Sequence, residues 1–120
     1  ELYKKVISIK EKILGENHIN IAVNYNNLAG LYVKQGKYKE AEELYNKAIS
    51  IDEKVLGENH IGTAVIYNNL AILYKNQEKY EKAEKLYKKA LSIHEKILGE
   101  NHPDTITIKE NLMNLNKNRK

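Results

Sequence analysis

The sequence contains no cysteine, no tryptophan and no phenylalanine, and its 120 residues include a single proline. Without cysteine the chain has no disulfides, no thiolate metal ligands and no cysteine nucleophile, and a reducing compartment such as the cytoplasm is compatible with it. No apolar run approaches the ~20 residues that cross a bilayer, and no charged-then-apolar leader opens the sequence. We therefore expect neither a disulfide-stabilised fold nor a membrane partner.

What the sequence does contain is typical of a folded globular domain. Apolar residues make up 42% and charged residues 30%, which argues against disorder. The net charge is +4, and positive and negative side chains alternate instead of forming one block. The length fits one domain or part of one.

An internal repeat of 42 residues dominates the sequence. The string LGENH begins at Leu14, at Leu56 and at Leu98, and 28 of the 42 aligned positions in the two complete copies are identical. The repeat divides the chain into the end of one copy, two complete copies and the start of another: 1–14, 15–56, 57–98 and 99–120. Such a division predicts a piece of a repeat array.

Each copy is predicted to form two helices. In the first, Tyr25, Leu28, Ala29 and Tyr32 follow the i, i+3, i+4, i+7 spacing of a buried helical stripe. After a break at Gly36, a second helical stripe follows, formed by Tyr38, Ala41, Leu44, Tyr45, Ala48, Ile51 and Val55. Strand patterns are absent, so the sequence predicts an all-α fold.

These motifs resemble the tetratricopeptide repeat, and most closely its 42-residue variant in kinesin light chains. The resemblance rests on the segments 26–32 (NNLAGLY), 35–38 (QGKY), 40–45 (EAEELY) and 53–57 (EKVLG). The sequence departs from the variant at its HPD motif, which is kept only at His102-Pro103-Asp104, and at Glu78, which replaces the turn glycine Gly36. If that turn needs a positive φ, Glu78 is strained there.

The resemblance implies an α-solenoid, a right-handed superhelix of stacked antiparallel helix hairpins whose first helices line a concave groove. It also implies a non-catalytic scaffold that binds a protein or peptide in that groove. Recurrent alanines, such as Ala41 and Ala83, are expected where helix backbones approach closely.

Histidine is the one residue type that suggests catalysis or metal binding. His18, His60 and His102 recur one repeat apart, too far from each other for one metal ion, and we interpret them as capping and turn residues. His94 stands alone on a second helix, and we expect it to face solvent. We therefore predict no catalytic residue, no metal, no cofactor and no small-molecule substrate.

Nine tyrosines and a computed pI of about 9.1 raise the alternative of nucleic-acid binding by base stacking. Eight of the tyrosines fall at equivalent helix-packing positions in the two complete copies, for example Tyr25 and Tyr67, which favours a role in the core. Nineteen lysines accompany a single arginine, although arginine is the residue that suits bidentate phosphate and base contacts. We expect no nucleic-acid partner.

If the first helices line a groove, their polar face is the candidate binding surface. An asparagine carries a donor and an acceptor, so a series of them can pair with the main chain of an extended peptide, and lysines beside them would attract acidic residues. Structural hydrogen bonds between helices remain the alternative role for these asparagines. The candidate groove residues are Val23, Asn26, Asn27, Gly30, Val33, Lys34, Val65, Asn68, Asn69, Ile72, Lys75, Asn76, Thr107, Glu110, Asn111, Asn114 and Lys117.

Because the copies at both ends are incomplete, their terminal helices would expose apolar faces that a longer array covers. We expect these faces to support weak head-to-tail self-association. The residues concerned are Leu2, Val6, Ile9 and Ile13 at one end and Ile106, Leu112, Met113 and Leu115 at the other. The alternative function is accordingly an architectural or engineered repeat that stacks end to end without a dedicated ligand.

Overall fold

The structure, a computed structural model, describes Lys4 and residues 19–118. Residues 19–118 form five helices and no strand, so the predicted all-α class is confirmed. The helices are α1 (Ile19–Lys34), α2 (Tyr38–Val55), α3 (Ile61–Asn76), α4 (Tyr80–Leu98) and α5 (Pro103–Asn118). Pro103 begins α5, where a missing backbone N–H has no cost.

The chain forms two compact units, Glu1–Glu58 and Asn59–Lys120. In the first unit α1 packs against α2. In the second unit α4 packs against both α3 and α5. None of the helices in the described part of the chain is both long and apolar enough to cross a membrane.

Small side chains allow the helices of each unit to pack closely. Ala29, Ala41 and Ala48 are completely buried in the first unit. Their equivalents Ala71, Ala83 and Ala90 are completely buried in the second unit. A larger side chain at these positions would push apart helices whose axes lie ~8–10 Å apart.

Tyrosine rings fill the space beside the alanines. Tyr25 in α1 and Tyr67 in α3 are buried, and in both units a lysine of the second helix covers the ring. The ammonium nitrogen of Lys47 lies 5.5 Å from the ring centroid of Tyr25, and that of Lys89 lies 4.8 Å from the ring of Tyr67. Such cation–π contacts add to the hydrophobic packing within each hairpin. Of the eight tyrosines predicted to serve the core, six are buried, whereas Tyr38 and Tyr80 are half-buried.

The turn after the first helix of each unit has the same hydrogen bonds. Lys37 N–H donates to the carbonyl of Tyr32 and Gly36 N–H to that of Val33, the pair of bonds that defines a Schellman motif. Gly36 has φ +77°, as this motif requires. In the second unit Glu78 takes the same place with φ +61°, so the conditional expectation of strain at Glu78 is met.

The predicted stripe of the second helices needs one correction. Val55, assigned to the buried stripe, is 49% exposed, whereas Asp52 is buried. Asp52 lies four residues after Ala48, one helical turn further along the same face, whereas Val55 is the last residue of α2, where exposure depends on which neighbour covers the helix end. The equivalent of Asp52 in α4 is His94, which is also buried.

Candidate functional site

The first unit exposes three of the six candidate groove residues of α1, and the other three are half-buried. Val23 is 53% exposed, and Asn27 and Lys34 are also exposed, while Asn26 is half-buried. Val23, Asn27 and Lys34 are four and seven residues apart and therefore follow one face of the helix. This face combines an apolar side chain, an amide and a cation.

The second unit carries the equivalent face on α3 and a further one on α5. Val65 is 44% exposed, and Asn68, Asn69, Ile72 and Lys75 are half-buried. On α5, Asn114 is exposed and Asn111 is half-buried.

A pocket of about 250 Å³ lies between the helices of the second unit. It brings together three predicted residues, Val65 and Asn68 of α3 and Thr107 of α5. Its other lining residues are His94, Asp104 and Ile108. Sequence reasoning did not assign these three to a binding surface.

His94 corrects the expectation of a solvent-facing side chain, because it is only 3% exposed. Its Nδ1 lies 2.9 Å from the carbonyl oxygen of Ala90, one turn earlier in α4. A carbonyl can only accept, so Nδ1 carries the proton and Nε2 is the acceptor of the neutral ring. The spacing of four residues from Ala90, a buried alanine, was the signal in the sequence that placed His94 on the inner face.

The asparagines of the first helices do not behave alike. Asn26 and Asn69 take part in interactions within the protein, which agrees with the structural alternative for these two positions. The buried Oδ1 of Asn68, by contrast, has no hydrogen-bond partner among the described residues. A buried acceptor without a partner costs roughly 1–3 kcal/mol, so a donor supplied to Asn68 would be favourable.

The recurrent histidines act as predicted for two of the three copies. Nδ1 of His60 accepts from Gly62 N–H at 2.9 Å, and Nδ1 of His102 accepts from Asp104 N–H at 3.1 Å. Both bonds satisfy a backbone donor in the first turn of a helix. His18 lies outside the described residues. Within residues 19–118 no three His, Asp or Glu side chains are grouped so that they could hold a metal ion.

Among the residues predicted for self-association, Leu2, Val6, Ile9 and Ile13 lie outside the described residues. On α5, Ile106 is 42% and Met113 56% exposed, and Leu112 is half-buried. Leu115 is completely buried and does not belong to an exposed face. It packs inward because it follows the buried residues Thr105 and Ile108 at helical spacing.

The sequence matches a family model described as the tetratricopeptide repeat over residues 1–54, 25–93 and 62–112. The chain therefore belongs to the tetratricopeptide repeat family, as the resemblance in its motifs predicted. No curated protein matches the sequence.

Solved structures support the same assignment. BtubC (BKLC) from P. vanneervenii, for which a crystal structure is known, is 30% identical in sequence to this chain, with a TM-score of 0.84. The match covers 95% of this chain and 45% of that one. A Podosopora anserina putative kinesin light chain with nearly identical TPR-like repeats is 25% identical with a TM-score of 0.87, over 95% of this chain and 54% of that one. The chain thus spans about half the length of these structures, and its predicted fold class, an all-α solenoid, is confirmed.

Proposed function

We propose that this chain is a non-catalytic scaffold that holds an extended peptide segment of a partner protein. Repeats of this family generally mediate protein–protein interaction, which gives the proposal its class. Within each unit, the outward face of the first helices is the surface that would contact such a segment: that of α1 in the first unit and those of α3 and α5 in the second.

The pocket of the second unit is the observation that carries the proposal. Its lining combines two apolar side chains, Val65 and Ile108, with the amide of Asn68, whose Oδ1 has no hydrogen-bond partner in the described part of the chain. A recess with apolar walls and a few polar groups is the usual form of a side-chain binding site.

Charge on the same faces favours acidic residues elsewhere in the peptide. Lys34 and Lys117 are exposed and Lys75 is half-buried, each in the last turns of its first helix. Exposed lysines increase the association rate of an acidic segment and contribute modestly to its affinity.

A peptide array tests this function. The wild-type chain is compared with the double variant Asn27→Ala/Asn69→Ala on an array of short acidic, basic and neutral peptides. We expect the wild type to bind a subset of the array and the double variant to lose most of that binding.

The matched control is Asn46→Ala, which removes an exposed asparagine from α2. Circular dichroism of all variants shows whether they remain folded, because Asn69 also interacts within the protein. Binding that survives the double change, or that Asn46→Ala abolishes equally, would contradict a role for the first helices.

End-to-end stacking of copies is a second candidate function, and two side chains of α5 support it. Ile106 and Met113 are both exposed and lie seven residues apart, on one face of the helix. We expect concentration-dependent association in sedimentation velocity, and we expect Ile106→Glu/Met113→Glu to abolish it. A wild-type chain that stays monomeric at millimolar concentration would contradict stacking.

A further inference from the structure

The polar groups around the pocket of the second unit are mostly hydrogen-bond acceptors. The Thr107 hydroxyl donates to the carbonyl of Pro103 at 3.0 Å, so its proton is engaged and its oxygen remains able to accept. Because the Nδ1 proton of His94 points at the carbonyl oxygen of Ala90, Nε2 is the hydrogen-bond acceptor when the ring is neutral. Asn68 adds its unpartnered Oδ1.

Asp104 contributes a negative charge at the edge of the pocket, and its side chain is 69% exposed. Its Oδ2 lies 3.9 Å from Nδ1 of His102, but that nitrogen already accepts the backbone N–H of Asp104 and so carries no proton. The contact is therefore not an ion pair. Among the described residues, no lysine or arginine lines the pocket.

The N-terminus of α5 opposes this charge only in part. A helix N-terminus corresponds to about half a positive elementary charge, whereas an ionised carboxylate carries a full negative one. Asp104 lies in the first turn of α5, so the helix compensates its charge only in part.

The size and walls of the pocket indicate what kind of group it holds. Its volume of about 250 Å³ lies below the ~300–1,000 Å³ of typical small-molecule sites. Val65 and Ile108 provide apolar surface for an aliphatic stem, and the acceptors lie beside it. Long basic side chains combine such a stem with a donor-rich cationic head.

We propose that this pocket binds a lysine or arginine side chain of the partner peptide. The inference rests on the proposed function, since it identifies one residue of the segment that the scaffold holds. It differs from the sequence expectation, which considered acidic residues only, because the lysines of the first helices do not line the pocket.

Capped single residues test the pocket without a known partner. The isotope-labelled chain is titrated at low salt with Nα-acetyl-N-methylamides of lysine, arginine, norleucine and glutamate, and amide shifts are followed by NMR. We expect the lysine and arginine compounds to shift the side-chain amide of Asn68 and the backbone amides of Asp104 and Thr107. Norleucine and glutamate should bind several-fold more weakly.

Asp104→Asn should weaken lysine binding by about two- to fivefold, the range for a solvent-exposed ion pair. Glu100→Gln is the matched control, because it removes the same charge from an exposed residue of the preceding loop that does not line the pocket, and it should leave binding unchanged. Equal binding of norleucine and lysine, preference for glutamate, or no effect of Asp104→Asn would overturn the inference.

The outcome separates this inference from the proposed function. Array binding with no response of the pocket to basic residues would refute the basic-residue pocket and leave the scaffold function standing. A pocket that binds the capped lysine in a chain that binds no array peptide would refute the scaffold function alone.

Discussion

Among the residues that the structure describes, Glu78 is the one non-glycine residue with a positive φ. It occupies the place of Gly36 in an otherwise equivalent turn. An L-residue in the left-handed region costs about 1–2 kcal/mol, because its Cβ approaches the following carbonyl. A Cβ built on Gly36 would meet nothing within 4 Å, so the cost at this turn lies in the backbone conformation itself.

Glu78→Gly is therefore expected to stabilise the chain by up to about 1 kcal/mol, after the extra entropy of glycine in the unfolded state is subtracted. Thermal and urea unfolding measure the effect. Gly36→Ala makes the opposite change at the equivalent turn and should destabilise by a similar amount. An unchanged or lower unfolding midpoint for Glu78→Gly would contradict the strain.

Tyr87 combines complete burial with a hydroxyl that has no hydrogen-bond partner among the described residues. Desolvation raises the pKa of Tyr87 from 10.0 to about 12. The folded state thus favours the neutral phenol. This contribution to stability is complete below pH 10, the unfolded pKa, and is lost as the pH rises through 12.

Tyr87→Phe is expected to increase the free energy of unfolding by about 1 kcal/mol at neutral pH, because the buried, unpartnered hydroxyl disappears. The variant should also lose less stability than the wild type between pH 10 and 12. Denaturant titrations at neutral and alkaline pH measure both effects. Tyr45→Phe provides the matched comparison. A larger loss of unfolding free energy in Tyr87→Phe than in Tyr45→Phe would contradict this account.

Alignment of the repeats predicted the structural role of some single residues but not of others. Glu78 was identified because it replaces a glycine in a recognisable turn. His94 was misplaced because its polarity outweighed its helical spacing from Ala90. The pocket presents acceptors because the hydroxyl of Thr107 and the imidazole of His94 donate their protons to backbone carbonyls. These hydrogen bonds cannot be predicted from a sequence pattern.

Histidine side chains cap the starts of α3 and α5. His60 precedes α3 with an extended backbone, and its Nδ1 accepts from Gly62 N–H. Serine, threonine, aspartate and asparagine are the usual residues at this position, where an acceptor satisfies one of the unpaired N–H groups of the first turn.

His60→Ala should destabilise the chain by about 0.5–1 kcal/mol, and His60→Asp should restore the lost stability because a carboxylate also accepts. Chemical denaturation of both variants makes the measurement. Asn59→Ala, at the neighbouring exposed position, is the control and should have little effect. Equal losses for His60→Ala and His60→Asp would show that capping is not the reason for the histidine.

Element positions were largely predictable from the periodicity of apolar residues. The two stripes of each copy correspond to α1 with α2 and to α3 with α4, and Pro103 marked the start of α5. Val55 was the exception, since exposure at a helix end depends on which neighbour covers it, and spacing within the helix does not contain that information.

At the scale of the whole molecule, repetition explains both the fold and the class of function. A hairpin of two amphipathic helices cannot bury its apolar surface alone, so repeats of this family pack in series. The surface left over on the first helices carries valines, asparagines and lysines in both units, and the second unit adds a pocket.

Nucleic-acid binding by base stacking would use a surface other than the one proposed for the peptide, and a simple experiment tests it. Six tyrosines of the first and second helices, among them Tyr25, Tyr67 and Tyr87, are buried and cannot stack on bases. We expect no retention on DNA or RNA at ~0.1 M salt, where phosphate contacts of a true binder persist. Retention at that salt would contradict the expectation.

The central claim is that the first helices bind the partner peptide, and an NMR titration with the strongest array binder tests it most directly. We predict that the perturbed amides concentrate on the outward faces of α1, α3 and α5, with Val23, Asn27, Val65 and Asn68 among them. Perturbations confined to the exposed residues of α2 and α4 would contradict the claim.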